Sequence, residues 1–114
     1  MDNLIIRKKN NIWFATFPLF EEHGVINACS CRLHGLSDIK KGTLNLALHV
    51  GDDEKKVLHN RKLFADAIGA DASKFTTCEQ VHGSQIAVVS EKEIGAGAFS
   101  LAESISQTLS LIHI

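Results

Sequence analysis

Apolar side chains recur at helical spacing in one segment of the chain, residues 54–68. Together with the stem of one arginine they form a single stripe, made up of Val57, Arg61, Phe64, Ala65 and Ile68. Asp52 or Asp53 can accept hydrogen bonds from the first free N–H groups of a helix. Gly69 stands where a helix commonly ends in a left-handed conformation. The pattern predicts a helix over residues 54–68.

Shorter apolar runs between turn residues predict strands around this helix. Residues 4–6 and 12–17 predict a hairpin with its turn at residues 8–11. Three further strands are predicted from runs of the same kind, at residues 25–32, 44–50 and 86–89. Residues 33–43 are typical of a loop, and residues 98–107 of a short helix. These elements predict a mixed α/β (α+β) fold with a mixed sheet and more strand than helix.

Composition narrows the classes of function. The 114 residues suit one domain. The net charge is -1 and no lysine or arginine run stands out in the sequence, so we expect no nucleic-acid partner. No apolar run approaches the roughly 20 residues of a membrane span, and the first residues are unlike a signal peptide. The three cysteines have no C-x-x-C spacing, which argues against a disulfide framework. We therefore expect a cytoplasmic protein without a membrane partner.

Two of the cysteines share one face of a predicted strand. Alternation in residues 25–32 places Cys29 and Cys31 on one side, with Ser30 and Arg32 on the other. A Cys-x-Cys pair can bind a metal, but such residues are more often small buried hydrophobes, and we prefer that interpretation.

The strongest candidate for chemistry is the stretch Gln80-Val81-His82-Gly83. If residues 78–82 are extended, Cys78, Gln80 and His82 point the same way. Gly83 leaves room for a ligand to approach the imidazole of His82, which can bind a metal or exchange a proton near neutral pH. The alternative is that His82 is an ordinary polar residue at the end of a strand.

Four segments together resemble the YfiH or laccase-domain family, which is also called the multicopper polyphenol oxidase or peptidoglycan editing factor family. They are Cys31-Arg32-Leu33-His34-Gly35-Leu36-Ser37, Asn45-Leu46-Ala47-Leu48-His49-Val50-Gly51-Asp52-Asp53, Asn60-Arg61 and Gln80-Val81-His82-Gly83. They are similar to that family's T-R-x-G-G-x-S, N-L-x-x-H-V-G-D-D, N-R and Q-V-H-G signatures. His34 departs from the pattern because it replaces the first glycine, and Cys31 replaces threonine.

The resemblance implies part of an α-β-β-α layered fold and a site for zinc or copper. His82 matches one metal ligand, while the cysteine and second histidine of the family belong to downstream motifs that this chain lacks. The resemblance also implies catalytic roles for His82 and Arg32, with Arg32 holding phosphate. Asn45 and His49 would line the substrate pocket, unless Asn45 serves only the backbone and His49 is a core histidine. We expect Arg32 and His82 to converge on one concave surface, with Asn45 or His49 near it.

The implied activity is phosphorolysis or deamination of purine nucleosides, with nucleoside and phosphate as small-molecule partners. The alternatives are a copper polyphenol oxidase, an editing factor for peptidoglycan precursors, or a non-catalytic binding module.

We expect Arg61 to pack, or to pair with Asp52 or Asp53.

We expect residues 1–108 to be the N-terminal part of a laccase-type domain that is inactive as truncated. Residues 109–114 are what the codons CTG TCT CTT ATA CAC ATC encode, a string that resembles the transposon end used in sequencing libraries. We therefore expect a foreign tail; a natural apolar tail or a final strand are the alternatives.

Overall fold

A hairpin begins the part of the chain that the computed structural model describes, which is residues 4–39, 42–108 and 110–113. Strands β1 (Ile5–Lys9) and β2 (Ile12–Thr16) pair antiparallel, and β2 also pairs antiparallel with the short strand β3 (Cys29–Ser30). The predicted hairpin is confirmed, although its turn is tighter than residues 8–11. Asn10 and Asn11 alone form it, with φ angles of 52° and 68° that asparagine tolerates well.

The segment between β2 and β3 differs from the prediction. A short helix, α1 (Pro18–Glu22), follows β2 and begins at a proline, which suits the first helical position. The strand predicted over residues 25–32 is wrong for most of its length. The Asn27 side chain accepts a hydrogen bond from the Phe17 N–H at 2.6 Å and donates to the carbonyls of Phe17 and Val25, both at 3.3 Å. These local bonds compete with strand pairing.

Helix α2 (Glu54–Ile68) has the bounds that the periodicity predicts. The Asp53 carboxylate accepts from the Lys55 N–H at 3.0 Å, and Gly69 ends the helix with a φ of 76°. The buried stripe packs on β2 and forms the main hydrophobic core, which contains Ile12, Phe14, Leu44, Phe64 and Ala67. Leu63 and Ile68 cover the edge of this core.

The strand predicted over residues 44–50 is wrong, because this segment is irregular in the structure. Its backbone groups bond to side chains rather than to a neighbouring strand. Asn45 bonds the backbone of Ala47, Asn60 donates to the carbonyl of Asn45, and Arg61 donates to that of Leu46. Side chains thus satisfy polar groups that a sheet would otherwise pair. Lys40 and Lys41 of the preceding predicted loop lie outside the described residues.

Two parallel strand pairs complete the fold. Strand β4 (Cys78–Gln80) pairs with β6 (Ile105–Thr108), and β5 (Ile86–Val89) pairs with β7 (Ser110–His113). Strand β5 is confirmed, but the helix predicted over residues 98–107 is wrong. Only Leu101–Glu103 forms a single 3₁₀ turn, and the following residues pair with β4 instead, beginning with the Ile105 N–H and the Thr77 carbonyl at 3.0 Å. The helix together with antiparallel and parallel strands confirms the mixed α/β class. The predicted mixed sheet is wrong, because the antiparallel strands β1–β3 and the two parallel pairs form separate sheets.

The part of the chain that the structure describes has no helix long and apolar enough to cross a bilayer. Strand β7 lies within residues 109–114, and the other two residues of that range, Leu109 and Ile114, are not among those described.

Candidate functional site

A cavity of about 860 Å³ opens between α2, the irregular segment 44–50 and β4. Its polar wall includes Ser30, Arg32, Asn45, His49, Arg61, Thr76, Thr77 and Gln80. Its apolar wall includes Leu44, Leu46, Leu48 and Leu101. Ser110 and Leu111 of strand β7 also line it. A partly apolar cleft with a few convergent polar groups is the usual form of a small-molecule site.

The structure brings three of the four predicted site residues to this cavity. Arg32, Asn45 and His49 line it, whereas His82 is exposed in the bend after β4 and is not among the described lining residues. Two residues of the same stretch, Cys78 and Gln80, do line the cavity. His82 therefore lies just beyond the end of β4, a strand that forms part of the cavity wall. The roles of all four residues stay predictions.

The backbone around Arg32 is held firmly while its guanidinium is exposed. Its carbonyl accepts from the N–H groups of Thr43 and Leu44, at 2.7 and 3.0 Å. A Cβ built on Gly42 would lie 2.6 Å from the Arg32 Cβ, so only glycine allows this close approach. The Arg32 guanidinium donates to no described residue and is free to meet a ligand.

A polar network fixes the segment that carries Asn45. The Asn45 amide donates to Ala47 O at 3.0 Å and to the Asp52 carboxylate at 3.1 Å, and the Ser37 hydroxyl donates to the same carboxylate. These hydrogen bonds, that from Ser37 first and that from Asn45 second, lower the pKa of Asp52. Asn45 therefore serves the backbone and also lines the cavity. Of the two candidate caps, Asp53 caps α2 and Asp52 holds the loop.

Asn60 belongs to a signature segment, but it is not among the predicted site residues. It is fully buried on α2, where its side-chain Oδ1 accepts a hydrogen bond from the Leu36 N–H at 2.8 Å. Its amide group contacts three oxygens: Ser37 Oγ at 2.9 Å, Asn45 O at 2.9 Å and Thr43 O at 3.3 Å. The sequence does indicate such a role, because an asparagine stands next to the buried stripe of α2. A polar side chain is buried at such a position only when it is hydrogen-bonded.

The two residues His34 and Gly35 shape the loop that Asn60 holds. His34 replaces a glycine of the family signature and adopts a φ of 72°, in the left-handed region that favours glycine. A Cβ on Gly35 would lie 2.7 Å from Asn60 Oδ1 and closer still to the Thr43 carbonyl. The second glycine of the signature is thus required by packing, and the first position keeps a backbone conformation that suits glycine.

Arg61 lines the cavity and ties α2 to the segment 44–50 and to residues 97 and 98. Its Nε donates to Leu46 O at 2.8 Å, and its Nη1 donates to Gly97 O at 2.7 Å and to Ala98 O at 3.1 Å. Of the two alternatives expected for Arg61, packing is confirmed, because its side chain is buried, and the ion pair with Asp52 or Asp53 is wrong, because the guanidinium donates to carbonyl groups. Burial lowers the pKa of Arg61, but an arginine in a protein stays charged.

Comparisons with known proteins show the family of this chain. Residues 26–109 match the family model described as multi-copper polyphenol oxidoreductase laccase. The chain belongs to this laccase family. The purine nucleoside phosphorylase YlmD of Geobacillus stearothermophilus is 33% identical over 82 residues, which are 72% of this chain and 30% of that protein. The purine nucleoside phosphorylase SCO2081 of Streptomyces coelicolor is 41% identical over 58 residues, 51% of this chain and 24% of that protein.

Solved structures share the fold of this laccase-family chain. The crystal structure of YlmD from Geobacillus stearothermophilus has a TM-score of 0.76 at 29% identity, covering 90% of this chain and 38% of that one. The hypothetical protein YfiH of Bacillus licheniformis has a TM-score of 0.63 at 24% identity, covering 95% of this chain and 36% of that one. The expected YfiH-like fold is confirmed. The chain spans 30% or less of the two relatives named above.

The donor groups of the laccase-family chain do not fit a complete metal site. Among residues 4–39, 42–108 and 110–113, no three His, Cys, Asp or Glu side chains are close enough together to hold an ion. Cys29 is exposed, so its predicted burial is wrong, and Cys31 and Cys78 are half-buried free thiols. His82 supplies one imidazole, whereas a catalytic zinc usually has three protein ligands.

Proposed function

We propose that this chain forms part of a longer enzyme that converts purine nucleosides, by phosphorolysis or by deamination of adenosine. The cavity is the observation that carries the proposal. It sets Arg32, Asn45 and His49 among leucine side chains, and a purine nucleoside likewise combines a flat apolar base with hydrogen-bonding edges. The names of two relatives as purine nucleoside phosphorylases support the same substrate class.

Phosphorolysis gives each of these side chains a task. A phosphate oxygen forms a bond to C1′ of the ribose while the C1′–N9 bond breaks, and the purine leaves with the electron pair and takes up a proton. The Arg32 guanidinium would hold the phosphate, because its planar fork matches two oxyanion oxygens. Asn45 and His49 would orient the nucleoside. In deamination, water replaces the amino group of adenosine and ammonia leaves.

The metal of the family is zinc or copper. We propose that His82 would be one ligand of this ion and that its other ligands come from outside the described residues. One imidazole leaves such an ion mostly hydrated and weakly bound. Residues 1–114 alone should therefore not turn over nucleosides. A cytoplasmic location is proposed from the cysteine usage.

Three proteins test the proposal: the longer protein that continues residues 1–108, its His82→Ala variant, and the chain of 114 residues. Each receives inosine or adenosine with phosphate and zinc, and the products are separated by chromatography. We expect hypoxanthine and ribose 1-phosphate from inosine with the first protein only. His59→Ala, which removes an exposed histidine of α2, is the matched control. Turnover by residues 1–114, or full activity of His82→Ala, would contradict the proposal.

Oxidation of polyphenols is the second candidate, because the family model carries that description. The same longer protein is given a catechol, copper and dissolved oxygen, and oxygen uptake is measured. Rapid oxygen uptake without phosphate-dependent cleavage of inosine would favour the oxidase over the phosphorylase.

A further inference from the structure

Arg61 carries a positive charge into the interior, and none of the described carboxylates bonds to it. Its side chain is only 5% exposed, and the described residues that accept its hydrogen bonds are the backbone carbonyls of Leu46, Gly97 and Ala98. These bonds use Nε and Nη1. The remaining nitrogen, Nη2, donates to no described residue. A guanidinium stays charged when buried, so one charged donor is left over.

This unused donor belongs to a residue that lines the candidate cavity. Arg61 enters the wall from α2, and Arg32 enters it from the loop after β3. No aspartate or glutamate is among the described residues that line the cavity. Two guanidiniums without a carboxylate, beside leucine side chains, make the potential there positive, and the low local dielectric strengthens it. A buried charge of this kind is most stable when a partner of opposite sign completes it.

We propose that Arg61 and Arg32 form an oxyanion subsite inside the cavity, in which Arg61 is the fixed wall and Arg32 the exposed partner. The three carbonyl groups hold the Arg61 guanidinium in one orientation and leave Nη2 for the ligand, so little ordering is needed on binding. The naming of the anion as inorganic phosphate rests on the proposed function. The subsite itself rests on the burial and hydrogen bonding of Arg61.

Arg61 also has a structural role, because it ties α2 to residues 46, 97 and 98. A residue confined to that role would not respond to anions. A readout of anion binding at Arg61 itself therefore separates the two roles, and it does not depend on a variant that retains the fold.

The test is a titration of the 114-residue chain with sodium phosphate, followed by nuclear magnetic resonance of the arginine Nε–H groups. Sodium chloride at matched ionic strength is the reference, and sodium sulfate tests for a general oxyanion. We expect a saturable shift of the Arg61 signal with phosphate. Arg7, which donates to Thr16 and pairs with Glu21 outside the cavity, is the internal control. No saturable shift at Arg61, or an equal shift at Arg7, would overturn the proposal.

Substitutions extend the test. Arg61→Lys keeps the charge but loses the fork, so we expect phosphate to bind about tenfold more weakly or worse, with Arg7→Lys unchanged. In the longer protein Arg61→Lys should raise the KM for phosphate, whereas Arg7→Lys, outside the cavity, should leave that KM unchanged. If the Arg61 signal responds but the longer protein neither cleaves inosine with phosphate nor deaminates adenosine, the proposed function fails and the subsite stands. If phosphorolysis occurs without any response of Arg61, the subsite fails.

Discussion

Asn60 and Ser37 are 23 positions apart in the chain, and a buried hydrogen bond of 2.9 Å joins their side chains. Through this bond helix α2 holds the irregular loop at Ser37 in place. That loop leads into residues 44–50, which line the cavity. The Asn60 amide also contacts the carbonyl oxygens of Thr43 and Asn45, so one side chain organises both ends of the loop. The site thus depends on a helix residue that is not itself among the residues lining the cavity.

We predict that Asn60→Ala lowers the free energy of unfolding by about 2 kcal/mol, because it removes the partner of the Leu36 N–H and of the Asn45 carbonyl and one bond each from Ser37 Oγ and the Thr43 carbonyl. Chemical denaturation of the chain measures the change. His59→Ala, at the exposed neighbouring position, should change the stability by no more than about 0.5 kcal/mol. Equal stabilities for the two variants would contradict the anchoring role of Asn60.

The loop backbone gives a second prediction. His34→Gly should be neutral or raise the free energy of unfolding by up to about 1 kcal/mol, since glycine adopts the φ of 72° without strain. Gly35→Ala should be strongly destabilising, because the added Cβ meets Asn60 and Thr43. Gly83→Ala is the control, since a Cβ there has nothing within 4 Å. Thermal melts of the three variants would refute this account if Gly35→Ala were as stable as Gly83→Ala.

The carboxylate of Asp52 makes a prediction about pH. Hydrogen bonds from Ser37 and Asn45 lower its pKa in the folded chain, so the ionised form stabilises the fold. This contribution is present above the ordinary aspartate pKa of about 3.9 and is lost as the pH falls through the lower folded pKa. The difference in melting temperature between the original chain and Asp52→Asn should therefore be largest near neutral pH and shrink under acid. A difference that is constant from pH 7 to pH 3 would speak against it.

The outer face of β5 gives a prediction about association. Ile86 and Val88 are 64% and 60% exposed, and Ile112 of β7 lies beside Val88. Such an apolar sheet face favours self-association. Val88→Lys should reduce light scattering of the concentrated chain, whereas Ser84→Lys, which adds the same charge at another exposed position, should not. Equal effects of the two lysines would assign the association to net charge instead.

The hairpin and α2 could be predicted from the sequence because their signals are local. Helical periodicity, the cap at Asp53 and the glycine at position 69 all act within a few residues. The segment 44–50 could not, because its apolar spacing suits a strand while Asn45, Asn60 and Arg61 take its backbone hydrogen bonds. Two of these three side chains come from α2, which is distant in sequence.

The candidate site could be predicted only in part, because local sequence segments indicate some of its residues whereas its other contacts join residues that are distant in the sequence. The signature segments that resemble the family include Arg32, Asn45 and His49, and the fold brings all three to one cavity. The pairing of β4 with β6 depends on contacts between residues more than 20 positions apart, so the sequence pattern wrongly places residues 105–107 in a helix. The inward turn of Arg61 depends on carbonyl groups at positions 97 and 98, which no local pattern indicates.

The most direct test of the central claim is a crystal structure of the longer protein as its His82→Ala variant, soaked with inosine and phosphate. The substitution is chosen so that the substrates persist. We predict that the nucleoside lies in the cavity beside Asn45 and His49 and that phosphate lies against Arg32. A nucleoside bound elsewhere, with this cavity filled only by water, would contradict the account.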